Sequence, residues 1–124
     1  LSYRVIHDGK DRIEWLAARR NGIGGSDAAG VLGKSPWASP LSVFADKALP
    51  QPAPEDEPER FYWGRRLEPV IAEHYAKETG RQVVQAGSIL QSIERPWQIV
   101  TLDAFQTAED RDGVGFLEIK NTRW

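Results

Sequence analysis

A chain of 124 residues is long enough for one small domain and short for two, so residues 1–124 are read as a single, incomplete domain. With 40% apolar residues it can build a core, and with no cysteine it has neither a disulfide scaffold nor a thiolate metal site. A net charge of −2 argues against a generally basic nucleic-acid surface; basic residues do cluster at Arg19-Arg20 and at Arg60, Arg65 and Arg66, where a solvated helix face is the ordinary meaning.

The chain shows neither a leader-like segment nor an apolar run near twenty residues, and no membrane span is expected. It starts at Leu1, contains no Met and stops at Trp124, from which we expect a fragment with material missing at one or both ends, the C-terminus above all. In chain order, Asp11 to Arg20 reads as an amphipathic helix with Ile13, Leu16 and Ala17 on one face, acids in its first turn and arginines at its end. Gly22, Gly24 and Gly25 break the pattern, and Ser26 or Asp27 caps a second helix that runs to Gly33. After Pro36 and Pro40, Leu41 to Leu49 gives a third helix with Leu41, Phe44 and Ala48 together. Residues 50–59 (PQPAPEDEPE) form a mobile Pro/acid-rich loop.

Phe61 to Thr79 carries the longest helical pattern, with Trp63, Leu67, Val70, Ile71, His74 and Tyr75 as its stripe and Gly80 as its C-terminal cap. Pro69 predicts a kink or a fresh helix start near Glu68. Beyond Gly80 the period changes to that of strands, at Gln82–Gln85, Ser88–Ile93, Gln98–Asp103 and Val114–Lys120. Asp112-Gly113 is a turn signal, and the last two strands are expected to pair as an antiparallel hairpin with a long loop. Helices followed by a strand meander give an α/β sandwich with one sheet. His7 and His74 lack metal-ligand spacing and read as structural, and Trp15, Trp63 and Trp97 read as packing residues.

Chemistry concentrates in Asp103, Glu118 and Lys120. On a strand, Glu118 and Lys120 share one face while Leu117 and Ile119 point the other way. If the strand that Asp103 closes pairs with theirs, the three side chains meet. Two carboxylates, with the backbone carbonyl of Ile119 as a third oxygen, suit Mg²⁺ or Mn²⁺, and such an ion polarises a scissile phosphate and acidifies a bound water. Lys120 can orient that water, act as its base, or offset charge on the phosphate. An E-x-K on a strand is by itself most often a surface strand of alternating charge.

Fifteen residues separate Asp103 from Glu118-Ile119-Lys120, an arrangement that resembles the D…(D/E)-x-K core of the PD-(D/E)xK nucleases, with Leu102 in place of the usual proline and Ala104 where glycine is frequent. Trp15-Leu-Ala-Ala-Arg19-Arg-Asn-Gly22-Ile-Gly-Gly-Ser26-Asp27-Ala resembles the first motif of the YqaJ-like viral recombinases, the phage-type exonucleases related to lambda exonuclease. Trp63-Gly64-Arg-Arg-Leu67-Glu68-Pro69 resembles the second. Pro96-Trp97 before Thr101-Leu102-Asp103, and Leu117-Glu118-Ile119-Lys120, resemble the third and fourth. The four motifs stand in the family's order over nearly the whole chain.

The resemblance implies a restriction-endonuclease-like core, a central mixed sheet flanked by helices, with N-terminal helices preceding the strands. It implies metal-dependent 5′-to-3′ digestion of linear double-stranded DNA from its ends in phage-type recombination, a single-strand annealing protein as partner, a ring-shaped trimer as in characterised relatives, and the cytoplasm of a bacterial cell as location. It places Glu68 near the metals with Asp103, Glu118 and the Ile119 carbonyl, makes Lys120 catalytic, gives Arg19 and Ser26 to the terminal 5′ phosphate, and puts Thr101 where relatives have a small hydroxyl residue. A helix with a glutamine and tyrosine motif, which follows the E-x-K in that family, is absent from these residues. The physics allows these roles: Ser26 follows a glycine-rich turn at a helix start, and Arg19 can clamp a phosphate in bidentate fashion. A PD-(D/E)xK endonuclease of other specificity, or a truncated DNA-binding relative without catalysis, would carry much of the same pattern.

Overall fold

The first element is one that the sequence pattern did not announce. In the computed structural model, which describes residues 2–52, 56 and 58–121, Tyr3–His7 form a strand, β1, so the helices do not precede all the strands. Its β-branched and aromatic residues suit a pleated edge, and it pairs antiparallel with Ile89–Ser92 (β3), Tyr3 opposite Ser92. On the other side β3 pairs with Ile99–Thr101 (β4), Ile89 opposite Thr101. The second sheet is Gln82–Gln85 (β2), Ala104–Ala108 (β5) and Arg111–Leu117 (β6), in the order β2-β5-β6 and also antiparallel. The fold is mixed α/β with two three-stranded antiparallel sheets, where one central mixed sheet was expected.

The described residues fall into two units, Leu1–Ala53 with Ser88–Thr101, and Pro54–Gly87 with Leu102–Trp124. The first unit holds the β1-β3-β4 sheet and three helices: Arg12–Arg19 (α1), Gly25–Val31 (α2) and Pro40–Ala48 (α3). Asp11 caps α1, its side chain accepting from the Glu14 N–H at 2.8 Å. Ser39 caps α3, accepting from the Ser42 N–H at 3.1 Å, and Pro40 fills the first helical position, where a missing N–H costs nothing. Neither Ser26 nor Asp27 caps α2. Gly24 does, and Asp27, three residues on, reaches back to the Gly24 N–H at 2.9 Å. The core of this unit is Val43, Ile89, Leu90 and Ile99. Beside it the buried Gln91 accepts from the Arg4 guanidinium at 2.6 and 2.9 Å and donates to the Pro96 carbonyl at 2.6 Å.

The second unit holds β2-β5-β6 and Glu59–Thr79 (α4), which packs against β2. α4 runs through Pro69 as one helix, ending at Gly80 in the left-handed conformation; of the kink or fresh start expected near Glu68, the fresh start does not occur. A proline there removes one helical hydrogen bond, a local cost of about 3 kcal/mol that the helix's other contacts must offset. Its inward face is also displaced from the apolar stripe. Ala72 is buried and Gly64, Glu68, Ile71 and Tyr75 are half-buried, whereas Trp63, Leu67, Val70 and His74 are exposed. The same displacement recurs in α1, where Ile13 and Ala17 are exposed and Trp15, Leu16 and Arg19 turn inward, and in α3, where Val43 is buried while Leu41, Phe44 and Ala48 are exposed. Trp97, like Trp63, is about half exposed, at 56% and 52%, in place of the packing expected of both.

The expected hairpin forms with different partners. The stretch Gln98–Asp103 is not one strand: β4 ends at Thr101, and β5 begins at Ala104 in the other sheet. β5 pairs with β6, Ala104 opposite Leu117, through a short turn at Glu109-Asp110. The register slips between Gln106 and Ala108, and Gly113, with φ of 91°, sits in the slack of β6 instead of at the turn. β6 ends at Leu117, so Glu118 and Lys120 lie just beyond the strand. Among the described residues no helix is long and apolar enough to cross a membrane. Of the loop 50–59, residues 53–55 and 57 lie outside the described residues, as do Leu1 and the end of the chain at 122–124, where truncation was expected.

Candidate active site

In the second unit, residues separated by fifty positions in the chain are brought together. Glu68 comes from the inward face of α4, Asp103 from the residue just before β5, and Glu118, Ile119 and Lys120 from the segment just after β6. The pairing of Ala104 with Leu117 brings the start of β5 beside the end of β6, and so sets Asp103 next to Glu118-Ile119-Lys120. Asp103 Oδ2 accepts from the Ile119 N–H at 2.6 Å, which ties the segment down where the ladder has stopped. The Ala86 N–H donates to the Asp103 carbonyl at 3.0 Å and holds its backbone from the β2 side.

The electrostatics of the cluster are dominated by its carboxylates. Partial burial pushes the Glu68 carboxyl up to about 7, reinforced by the charge of Asp103, a hydrogen bond to the Asp103 side chain and the charge of Glu118, with Lys120 acting in the opposite direction. Glu68 is thus the carboxyl of the cluster that most favours its protonated form, facing the Asp103 side chain. The Lys120 ammonium is paired with Glu118 Oε1. That hydrogen bond is the main reason its pKa is raised; desolvation opposes it, and the charges of Glu118, Asp103 and Glu68 add to the rise. Lys120 therefore remains a cation. The alternation foreseen for this stretch persists past the strand's end, with Glu118 and Lys120 exposed and Leu117 and Ile119 half-buried.

Hard carboxylate oxygens crowded until one retains a proton are a donor set that a divalent cation would relieve. Among the described residues no group of three or more His, Asp or Glu side chains is arranged to hold a metal ion. Mg²⁺ asks less than that, being held typically by one or two carboxylates with water and substrate phosphate completing the shell. The Glu68–Asp103 pair meets that requirement in the chemistry of its donors.

The first unit contains the other sequence-selected residues. Arg19, the last residue of α1, donates to Ser26 Oγ at 3.1 Å and lies 4.9 Å from the centroid of the Trp15 ring. The stretch between them is fixed along β4: the Ile23 N–H donates to the Trp97 carbonyl at 2.7 Å, and the Ile99 N–H to the Ile23 carbonyl at 3.1 Å. Gly22 allows this approach, since a Cβ there would lie 2.7 Å from both the Trp97 carbonyl oxygen and Ile99 Cγ2. Thr101 ends β4 opposite Ile89 and is half-buried. His7, read as structural, accepts from the Gly9 N–H through Nδ1 at 2.9 Å. Sequence reading missed Lys47. It lies on the inward face of α3, its Nζ 2.9 Å from Asp27 Oδ2, and it donates to the Arg19 carbonyl at 3.1 Å. Only its spacing from Val43, four residues earlier on the same helix face, hinted that it turns inward.

The model of the YqaJ-like viral recombinase domain matches residues 14–123. The uncharacterized protein YqaJ of Bacillus subtilis (strain 168) is 34% identical over 111 residues, which cover 90% of this chain and 34% of that protein. The chain thus spans about a third of the length of the curated relative it matches. No solved structure matches it.

Proposed function

The chain belongs to the YqaJ-like viral recombinase family, and on that footing we propose that it is the nuclease domain of a metal-dependent 5′-to-3′ exonuclease acting on linear double-stranded DNA. The observation that carries this reading is the meeting of Glu68, Asp103 and Glu118-Ile119-Lys120 in one unit, fastened by the Asp103–Ile119 hydrogen bond. α4 beside a sheet with Asp103 just before β5 and Glu118 just after β6 also supports a restriction-endonuclease-like core.

Glu68 and Asp103 are the carboxylates we assign first to Mg²⁺ or Mn²⁺, with Glu118 and the Ile119 carbonyl as the further oxygens that the family resemblance implies; the ion when bound would supply Lewis acidity toward the phosphate and a more acidic water. Asp103 holds the Glu118–Lys120 segment in register while offering its second oxygen. Lys120, kept cationic by Glu118, offsets negative charge building on the phosphate or orients a water, and of the roles open to it the general base is the least supported. Arg19 and Ser26 already share a hydrogen bond and would hold the 5′ phosphate of a DNA end, with Thr101 as a further hydroxyl near the substrate. This pairing favours an exonuclease over an endonuclease with the same carboxylates. Duplex ends are then the substrate, and an annealing protein, a trimeric ring and the bacterial cytoplasm follow from the same family reading.

The test is substitution. Asp103→Ala and Glu118→Ala are each expected to abolish Mg²⁺-dependent loss of linear duplex in the longest native form of the chain. Full activity in either variant would remove the assigned site.

A further inference from the structure

We propose that Lys47 is a positioning residue for end recognition: by engaging Asp27 it keeps the Arg19 guanidinium out of that carboxylate's grasp and free, with Ser26, to take a terminal phosphate. The inference rests on the reading of Arg19 and Ser26 given above and concerns residues that no part of that reading uses.

Asp27 follows Ser26 directly, so a carboxylate stands beside the hydroxyl that Arg19 contacts. A guanidinium facing a nearby carboxylate tends to close on it as a two-pronged pair, and Arg19 is close enough for its charge to act on Asp27. Other partners occupy Asp27 instead. Its Oδ2 meets the Lys47 ammonium at 2.9 Å and accepts from the Gly24 N–H at 2.9 Å, and the two side chains are only 16% and 13% exposed. Burial works against the Asp27 charge, yet Lys47, Gly24 and Arg19 together hold its carboxyl below the usual range.

Lys47 is itself held at both ends. Its Nζ donates to the Arg19 carbonyl at 3.1 Å, and Arg20 donates from Nη2 to the Lys47 carbonyl at 3.4 Å and to the Leu49 carbonyl. One side chain from α3 thus fastens the end of α1 to the turn that opens α2, the two places from which Arg19 and Ser26 project. The charges add to the same effect. Among the three side chains, Arg19 and Lys47 against Asp27 sum to one net positive charge, whereas without Lys47 the Arg19–Asp27 pair sums to zero and Arg19 is left to close on Asp27.

The experiment measures binding, free of cleavage, of 5′-phosphorylated and 5′-hydroxyl duplex oligonucleotides by fluorescence anisotropy in EDTA, on the longest native form of the chain. The wild type is expected to favour the phosphate. Lys47→Met should cut that preference by about tenfold, the loss expected for one hydrogen bond to a charged group, while Lys47→Arg keeps it. Asp27→Asn breaks the same ion pair from its other side, yet it should keep or increase the preference, and adding it to Lys47→Met should restore what was lost. Circular dichroism melts confirm that each variant is folded. A merely structural ion pair would make Lys47→Met and Asp27→Asn lose the preference alike, and that result, or a folded Lys47→Met with undiminished preference, overturns the proposal. A wild type with no preference overturns the end-binding reading itself, and this proposal with it.

Discussion

Asp103 accepts a hydrogen bond from the Ile119 N–H at 2.6 Å, linking two residues that flank adjacent strands, one before β5 and one after β6. This bond does what the strand ladder no longer does beyond Leu117: it fixes the backbone between Glu118 and Lys120. A carboxylate in that place serves as both anchor and charge.

The two duties separate by substitution. Asp103→Asn keeps an acceptor for the Ile119 N–H and loses the charge; Asp103→Ala loses both. Hydrogen exchange at Ile119 is expected to stay close to wild type in the first and to speed up roughly tenfold or more in the second, while both lose Mg²⁺-dependent nuclease activity. Equal exchange in all three proteins would mean that the bond contributes nothing to holding the segment.

Glu68 gives the metal-free chain a characteristic pH response. Its pKa is raised from 4.5 to about 7 by burial first and by Asp103 and Glu118 next. Between those values the native state holds a proton that the unfolded state has released, so stability falls as pH rises from about 4.5 to about 7 and then levels off. Glu68→Gln removes this contribution. In EDTA the variant should melt close to the wild type at pH 4.5 and above it at pH 8. Parallel melting curves for the two proteins across that range would show that Glu68 is not strained by its neighbours.

Gly22 and Gly25 look alike in sequence and differ in surroundings. A Cβ at Gly22 meets the Trp97 carbonyl at 2.7 Å, whereas at Gly25 nothing lies within 4 Å. Gly22→Val is expected to cost about 1–3 kcal/mol through overpacking against β4, and Gly25→Ala to be neutral or to stabilise by about 0.4–1 kcal/mol through a less flexible unfolded chain. Thermal melts of the two variants check this, and an unchanged melting temperature in Gly22→Val would contradict the close approach.

The sequence made most of the elements legible because their ends are chemically marked, by Asp11 before α1, Pro40 inside α3 and Gly80 after α4. It did not make the sheets legible. β1 stands apart from the later strands, and the break at Leu102-Asp103, which sends β4 and β5 to different sheets, carries no glycine or proline. Helix faces misled for another reason. Periodicity assigns the apolar stripe to the core, but here Trp63, Leu67 and Val70 are exposed while Glu68 turns inward. A hydrophobicity pattern cannot display that inversion. Asp103, Glu118 and Lys120 were legible as a spacing, on the mistaken premise that the E-x-K sits on a strand. Lys47 was not, since an inward lysine on a short helix has no signature of its own.

The central claim is that this carboxylate cluster drives metal-dependent attack on DNA ends. Its most direct test is the digestion of 5′-phosphorylated linear duplex beside covalently closed circular DNA, in Mg²⁺ and in EDTA, by the longest native form of the chain. Loss of the linear duplex alone, and only with Mg²⁺, is the predicted result. Survival of both DNAs in Mg²⁺, or cutting of the closed circle, would contradict it.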